Sequence, residues 1–123
     1  MVCAGVVSGL IAPTAPKAER WETLWHYMQS GPGVFKGDLN FHMLDGDIRD
    51  RVNQIDIKRC PLFLLTGEYD YSCTTVATLD VAKRTGAPAT IMQGLGHFPM
   101  SEDSEKFVSY LLPVLEKIRV LKV

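Results

Sequence analysis

Hydrophobic positions recur at helical spacing in the first quarter of the chain and as short uninterrupted runs in the second half. Ala18, Trp21, Trp25 and Met28 follow one another at intervals of three and four, which predicts a helix from Thr14 as N-cap, with Pro16 in its first turn. Gly31-Pro32-Gly33 ends it. From Val34 to Ile57 the pattern is irregular: Gly37-Asp38 and Asp45-Gly46-Asp47 are turn signals, and Ile48 to Val52 is a short helical candidate. Pro61 to Thr66 is then an apolar run bounded by Pro61 and Gly67, the pattern of a parallel strand covered on both faces. Ser72 or Thr74 can cap a helix that carries Val76, Leu79, Val81 and Ala82 and closes at Gly86. Ala89 to Met92 predicts a second short strand. Asp103 is the next N-cap, followed by a stripe of Phe107, Tyr110, Leu111, Val114, Leu115 and Ile118, with Pro113 expected to kink the helix. Strand, helix, strand, helix implies two parallel strands joined by a crossover.

Composition narrows the function classes. With 123 residues, 46% hydrophobic and 22% charged, the chain has the make-up of one ordinary globular domain. A formal net charge of -1 with mixed signs provides no basic stripe, so neither nucleic acid nor a membrane surface is an expected partner. The three cysteines, Cys3, Cys60 and Cys73, form neither an even framework nor a C-x-x-C pair, which argues for reduced thiols and a cytoplasmic setting. Met1 to Pro13 is apolar, yet no Lys or Arg precedes the apolar stretch as a signal peptide requires, and it falls short of a membrane span. Asp45, Asp47 and Asp50 lack the downstream ligands of a calcium loop and read as turn and capping acids. Glu22 and His26 sit one helical turn apart and can pair on the helix flank. No phosphate loop and no metal-ligand spacing points to a cofactor or a metal.

The chemistry concentrates in two short segments, Gly67-Glu68-Tyr69-Asp70 and Gly94-Leu95-Gly96-His97-Phe98-Pro99, each just past a strand. Open α/β sheets collect catalytic side chains at such strand ends. Histidine has the unperturbed pKa closest to neutrality, and a carboxylate on its far nitrogen fixes the tautomer and stabilises the imidazolium. An apolar strand into an acid, then a strand into Gly-x-Gly-His, then a terminal amphipathic helix resembles the carboxyl-terminal half of an α/β hydrolase. The resemblance implies a partial α/β-hydrolase fold: a short parallel sheet with flanking helices over residues 56–123, and a helical cap-like segment over residues 1–55. It also implies that Asp70 is the triad acid and His97 the triad base.

The nucleophile is missing. Such enzymes carry their serine in a Gly-x-Ser-x-Gly elbow ahead of the acid. Ser8 has Val6 and Leu10 where the glycines would stand and reads as a strand or loop serine, while Ser72 and Ser101 read as turn or helix hydroxyls. Cys73 is close to Asp70 in sequence, and a carboxylate raises a thiol pKa rather than lowering it.

Two functions follow as expectations. One is a hydrolase piece acting on an ester or similar bond of a small molecule, its serine supplied by another segment or chain. The other is a non-catalytic relative serving as a binding or dimerisation module. Trp21, Trp25, Phe35 and Phe98, with Phe41, can line an apolar substrate pocket or belong to the core. The apolar run at Leu62 to Leu65 and two unpaired strand edges predict a homo-oligomer that extends the sheet across a two-fold axis or swaps the 15–30 helix.

Overall fold

The computed structural model describes residues 2–31, 33–44 and 46–121, with all of their side chains except those of Val2, Cys3 and Phe35. Its elements run α1 (Val2–Leu10), α2 (Lys17–Met28), α3 (Val34–Met43), a 3₁₀ helix (Arg49–Gln54), β1 (Leu64–Gly67), α4 (Thr75–Thr85), β2 (Ala89–Met92), α5 (Pro99–Glu102) and α6 (Ser104–Val120). The architecture is a set of helices around a short parallel sheet of two strands.

The second half folds where its local chemistry directs. The Thr74 hydroxyl accepts from Ala77 N at 3.2 Å, which opens α4, and Gly86 closes it in the left-handed conformation at φ 77°. The Asp103 carboxylate accepts from Lys106 N at 3.0 Å and opens α6, which continues on both sides of Pro113. β1 and β2 pair in parallel from Leu64↔Ala89 to Gly67↔Met92. β1 starts later than the apolar run does, because the ladder opens with Leu64 N donating to Pro88 O and the residues before Leu64 have no facing strand.

The first half departs from its local signals in three places. Thr14 does not cap α2, which begins at Lys17 after an extended Pro16 (φ -56°, ψ 148°). Proline disfavours the helical region for the residue before it, so Ala15 cannot be a helical position. Thr14 Oγ1 instead donates to Gly94 O at 2.7 Å. Gly37-Asp38 is not a turn but lies inside α3, where Gly37 N donates to Gly33 O at 2.8 Å. Ser8 lies in α1 rather than in a strand or loop: the β-branched run around it is helical because Val7 and Ile11, one turn apart, face a common core. Asp47 does the turn chemistry expected of it, accepting from Arg49 N at 3.0 Å, and the Arg49 guanidinium lowers its carboxyl to about 2. Asp45 and Pro32 lie outside the described residues.

The core sits between α1, α2 and the turn that follows β2. Val7, Ile11, Ala15 and Phe98 are buried together, with Leu10 and Leu24 packed against them. Phe98 thus joins the helices of the first 30 residues to the strands of the second half. Among the described residues neither α4 nor α6 buries any residue fully, and Leu112, Leu115 and Ile118 remain about half exposed.

Candidate active site

Parallel pairing places the C-terminal ends of β1 and β2 side by side, and three bonds fasten the segments that leave them. Glu68 N donates to Met92 O at 3.0 Å, Tyr69 N to Leu95 O at 2.9 Å, and Gly94 N to the Glu68 carboxylate at 2.8 Å. The backbones approach so closely that a Cβ on Gly67 would collide with the carbonyl oxygens of Leu95 and Gly96, so only glycine fits.

This fastening brings Asp70 and His97 together. Asp70 Oδ2 lies 3.0 Å from His97 Nδ1, and Asp70 Oδ1 accepts from Ser72 N at 2.9 Å and Cys73 N at 2.8 Å. The carboxylate therefore has one oxygen fixed by backbone and the other aimed at the imidazole. The Asp70 side chain is 8% exposed against 31% for His97, so the acid is shielded while the base remains reachable. With Nδ1 engaged, Nε2 is the nitrogen left for a second partner.

His97 is held by its backbone as well as by its ring. His97 N donates to Leu10 O at 3.0 Å, at the end of α1. On either side, Gly96 N donates to Glu102 Oε2 at 2.6 Å and Phe98 N to Glu102 Oε1 at 3.0 Å. Glu102 is completely buried, so both oxygens of one carboxylate clamp the two peptides that flank the histidine. A Cβ on Gly96 would meet Ala12 N and Leu10 O at 2.6 Å and Glu102 Oε1 at 2.8 Å. The His97 ring also stands edge-on to Phe98 at 4.8 Å between centroids, and Phe98 to Tyr27 at 5.0 Å. Sequence reasoning assigns Glu102 no role. Its only signal is an acid in the short stretch between Pro99 and the Asp103 cap, and nothing in hydropathy distinguishes that from a solvated turn.

A groove of about 650 Å³ opens beside the pair. Asp70, Cys73 and His97 line one end, and Leu62, Leu65, Phe107, Leu111 and Leu115 give it apolar walls between β1 and α6. Of the aromatic residues considered for a pocket, Phe98 is buried in the core next to His97, and Trp21 and Trp25 stand 63% exposed on α2, away from this groove. Phe41 is also exposed, and the side chain of Phe35 lies outside the described residues. Between Glu22 and His26 no hydrogen bond forms among the described residues; both line a shallow surface pocket with Glu19 and Ser101.

The hydroxyls and thiols are placed as follows. Ser101 Oγ lies 2.8 Å from Thr23 Oγ1 and donates to Phe98 O, a structural role. Cys73 is an exposed free thiol beside Asp70; burial of the sulfur's surroundings pushes its pKa up, and the Asp70 charge pushes it further. As a neutral thiol it is a poor nucleophile. Among the described residues no helix is long and apolar enough to cross a membrane.

No protein-family model and no curated protein matches the chain. A solved structure described as Est816, an N-acyl homoserine lactone degrading enzyme, is similar in fold, with a TM-score of 0.67 at 20% sequence identity. The similarity covers 88% of this chain and 44% of that one, so this chain spans less than half the length of that enzyme.

Proposed function

We propose that this chain carries the acid and the base of a hydrolase triad, with Asp70 orienting His97 and a serine reaching His97 Nε2 from another segment or another chain. The observation that carries the reading is the 3.0 Å contact between a shielded Asp70 carboxylate and Nδ1 of a reachable His97 at the C-terminal edge of a parallel sheet. In this reading Nε2 takes the serine proton as the hydroxyl attacks the carbonyl carbon and returns it to the leaving oxygen. Asp70 stabilises the imidazolium between those two events. The substrate class is an ester with an apolar acyl group. The apolar groove suits such a chain, and the lactone degraded by the similar structure is a cyclic ester.

The test begins with the genomic sequence ahead of Met1. An in-frame Gly-x-Ser-x-Gly would be expressed together with this chain and assayed on p-nitrophenyl esters and an acyl homoserine lactone. His97→Ala is expected to lower turnover on the order of 10⁴-fold or more, and the 123-residue chain alone to turn over little or nothing. Robust hydrolysis by the isolated chain, or full activity of the His97→Ala protein, would overturn the assignment.

A second reading, a non-catalytic dimerisation module, draws on the open apolar wall of α6 and on Trp21 and Trp25, which are exposed four residues apart on α2. A homodimer would cover such surface by joining two sheets or by exchanging α2. Light scattering at micromolar concentration distinguishes it from a monomer.

A further inference from the structure

We propose that Asp70, Cys73 and His97 form a binding site for a zinc-like divalent cation, which on binding withdraws His97 from proton transfer. One carboxylate oxygen, the thiol sulfur and one imidazole nitrogen of these residues all lie within 4.8 Å of one another. Oxygen, sulfur and nitrogen are the three donor types that zinc accepts, and three protein ligands leave a fourth position for water. Chain spacing conceals the site, because His97 arrives from the other strand.

The donor set needs little rearrangement. Zinc bonds of about 2.0–2.3 Å in a tetrahedron separate ligand atoms by roughly 3.3–3.5 Å. Asp70 Oδ2 and His97 Nδ1, at 3.0 Å, are already near that separation. The sulfur has to close the remaining distance, and the exposed Cys73 side chain can do so by turning about its first torsion, giving up its hydrogen bond with Ser72.

Everything beneath the donors is fixed. Cys73 N is bound to Asp70 Oδ1 at 2.8 Å, and Cys73 O accepts from the buried Thr66 hydroxyl at 2.9 Å. Such outer bonds orient ligands and add affinity.

Charge also favours the cation. A dication, one thiolate and one carboxylate sum to zero, which suits a cluster in which Asp70 is almost wholly shielded from water. A thiol at neutral pH carries its proton, so binding forms the sulfur–metal bond and releases that proton to solvent. The imidazole keeps its single proton on the nitrogen that does not bind.

Metal binding stands apart from the hydrolase reading, since its test needs no substrate, while the loss of proton transfer at His97 rests on that reading. The apo chain would be titrated with Co²⁺, whose thiolate complexes show a charge-transfer band in the near ultraviolet, and then with Zn²⁺ against a chromophoric chelator. One equivalent of metal is expected, with the band present. Cys73→Ser should abolish the band and weaken Zn²⁺ at least about tenfold, His97→Gln should weaken it comparably, and Cys60→Ser should change neither. Far-ultraviolet dichroism of each variant verifies the fold, and calorimetry in buffers of different ionisation heat counts the released proton. A band that survives Cys73→Ser, a Zn²⁺ affinity unchanged by His97→Gln in a folded variant, or no binding by the parent chain would overturn the proposal.

Discussion

The two sides of the His97 turn are built to different standards. On the α1 side three consecutive peptides, Gly96, His97 and Phe98, have their N–H groups bound by Leu10 O and by the two oxygens of Glu102, and Phe98 fills the core against Val7, Ile11 and Ala15. On the groove side β1 presents an edge unpaired among the described residues, and α6 leaves Leu115 and Ile118 about half exposed. The closed side uses directional bonds and complete burial, which specify one geometry. The open side uses apolar surface alone, which attracts cover without dictating its shape. The placement of His97 against Asp70 is thus set within this chain by the closed side.

The largest effect should come from putting a methyl group into the closed side. Gly96→Ala forces a Cβ between Ala12, Leu10 and Glu102, and backbone cannot give way as a side-chain tip does. A loss of about 3 kcal/mol in urea unfolding is expected, with α1 parted from the turn. An unchanged midpoint would mean that the closed side is no more rigid than the open one.

Removing the clamp should cost somewhat less. Glu102→Ala leaves the N–H groups of Gly96 and Phe98 buried without acceptors, for about 2–3 kcal/mol in the same measurement. Glu102→Gln retains one acceptor oxygen and should recover part of that loss. Equal losses for the two variants would show that the clamp acts through volume and not through its hydrogen bonds.

The smallest effect on folding belongs to the open side. Leu115→Lys, on the half-exposed wall of the groove, should change folding stability by under about 1 kcal/mol while weakening the proposed homodimer about tenfold. Sedimentation equilibrium separates the two quantities. A folding penalty as large as that of Glu102→Ala would erase the contrast between the sides.

Much of the second half was legible because its signals are local. Thr74, Gly86 and Asp103 each act within one helical turn of themselves, and a continuous apolar run between punctuating residues marks a strand, although Leu62 to Leu65 are only partly buried and not covered on both faces as expected. Asp70 and His97 could be singled out because each follows such a strand, and parallel pairing then brings them together. The first half was less legible because distant partners decide it. Thr14 has a hydroxyl suited to capping but spends it on Gly94 O, and Gly37-Asp38 carries turn residues yet continues a helix. Glu102 was invisible for the same reason: its partners are backbone amides, which leave no mark on residue identity. The Cys73 thiol joins His97 only through folding, so spacing along the chain could not reveal a donor set.

The bond from His97 N to Leu10 O has a kinetic meaning as well as a geometric one. It joins residues 87 positions apart, so it cannot form until the chain has closed a long loop, and the histidine turn should be among the last parts to settle during folding. The same amide cannot exchange its proton for deuterium unless α1 lifts from the turn. Its exchange rate is therefore a single-atom gauge of how often the site comes apart.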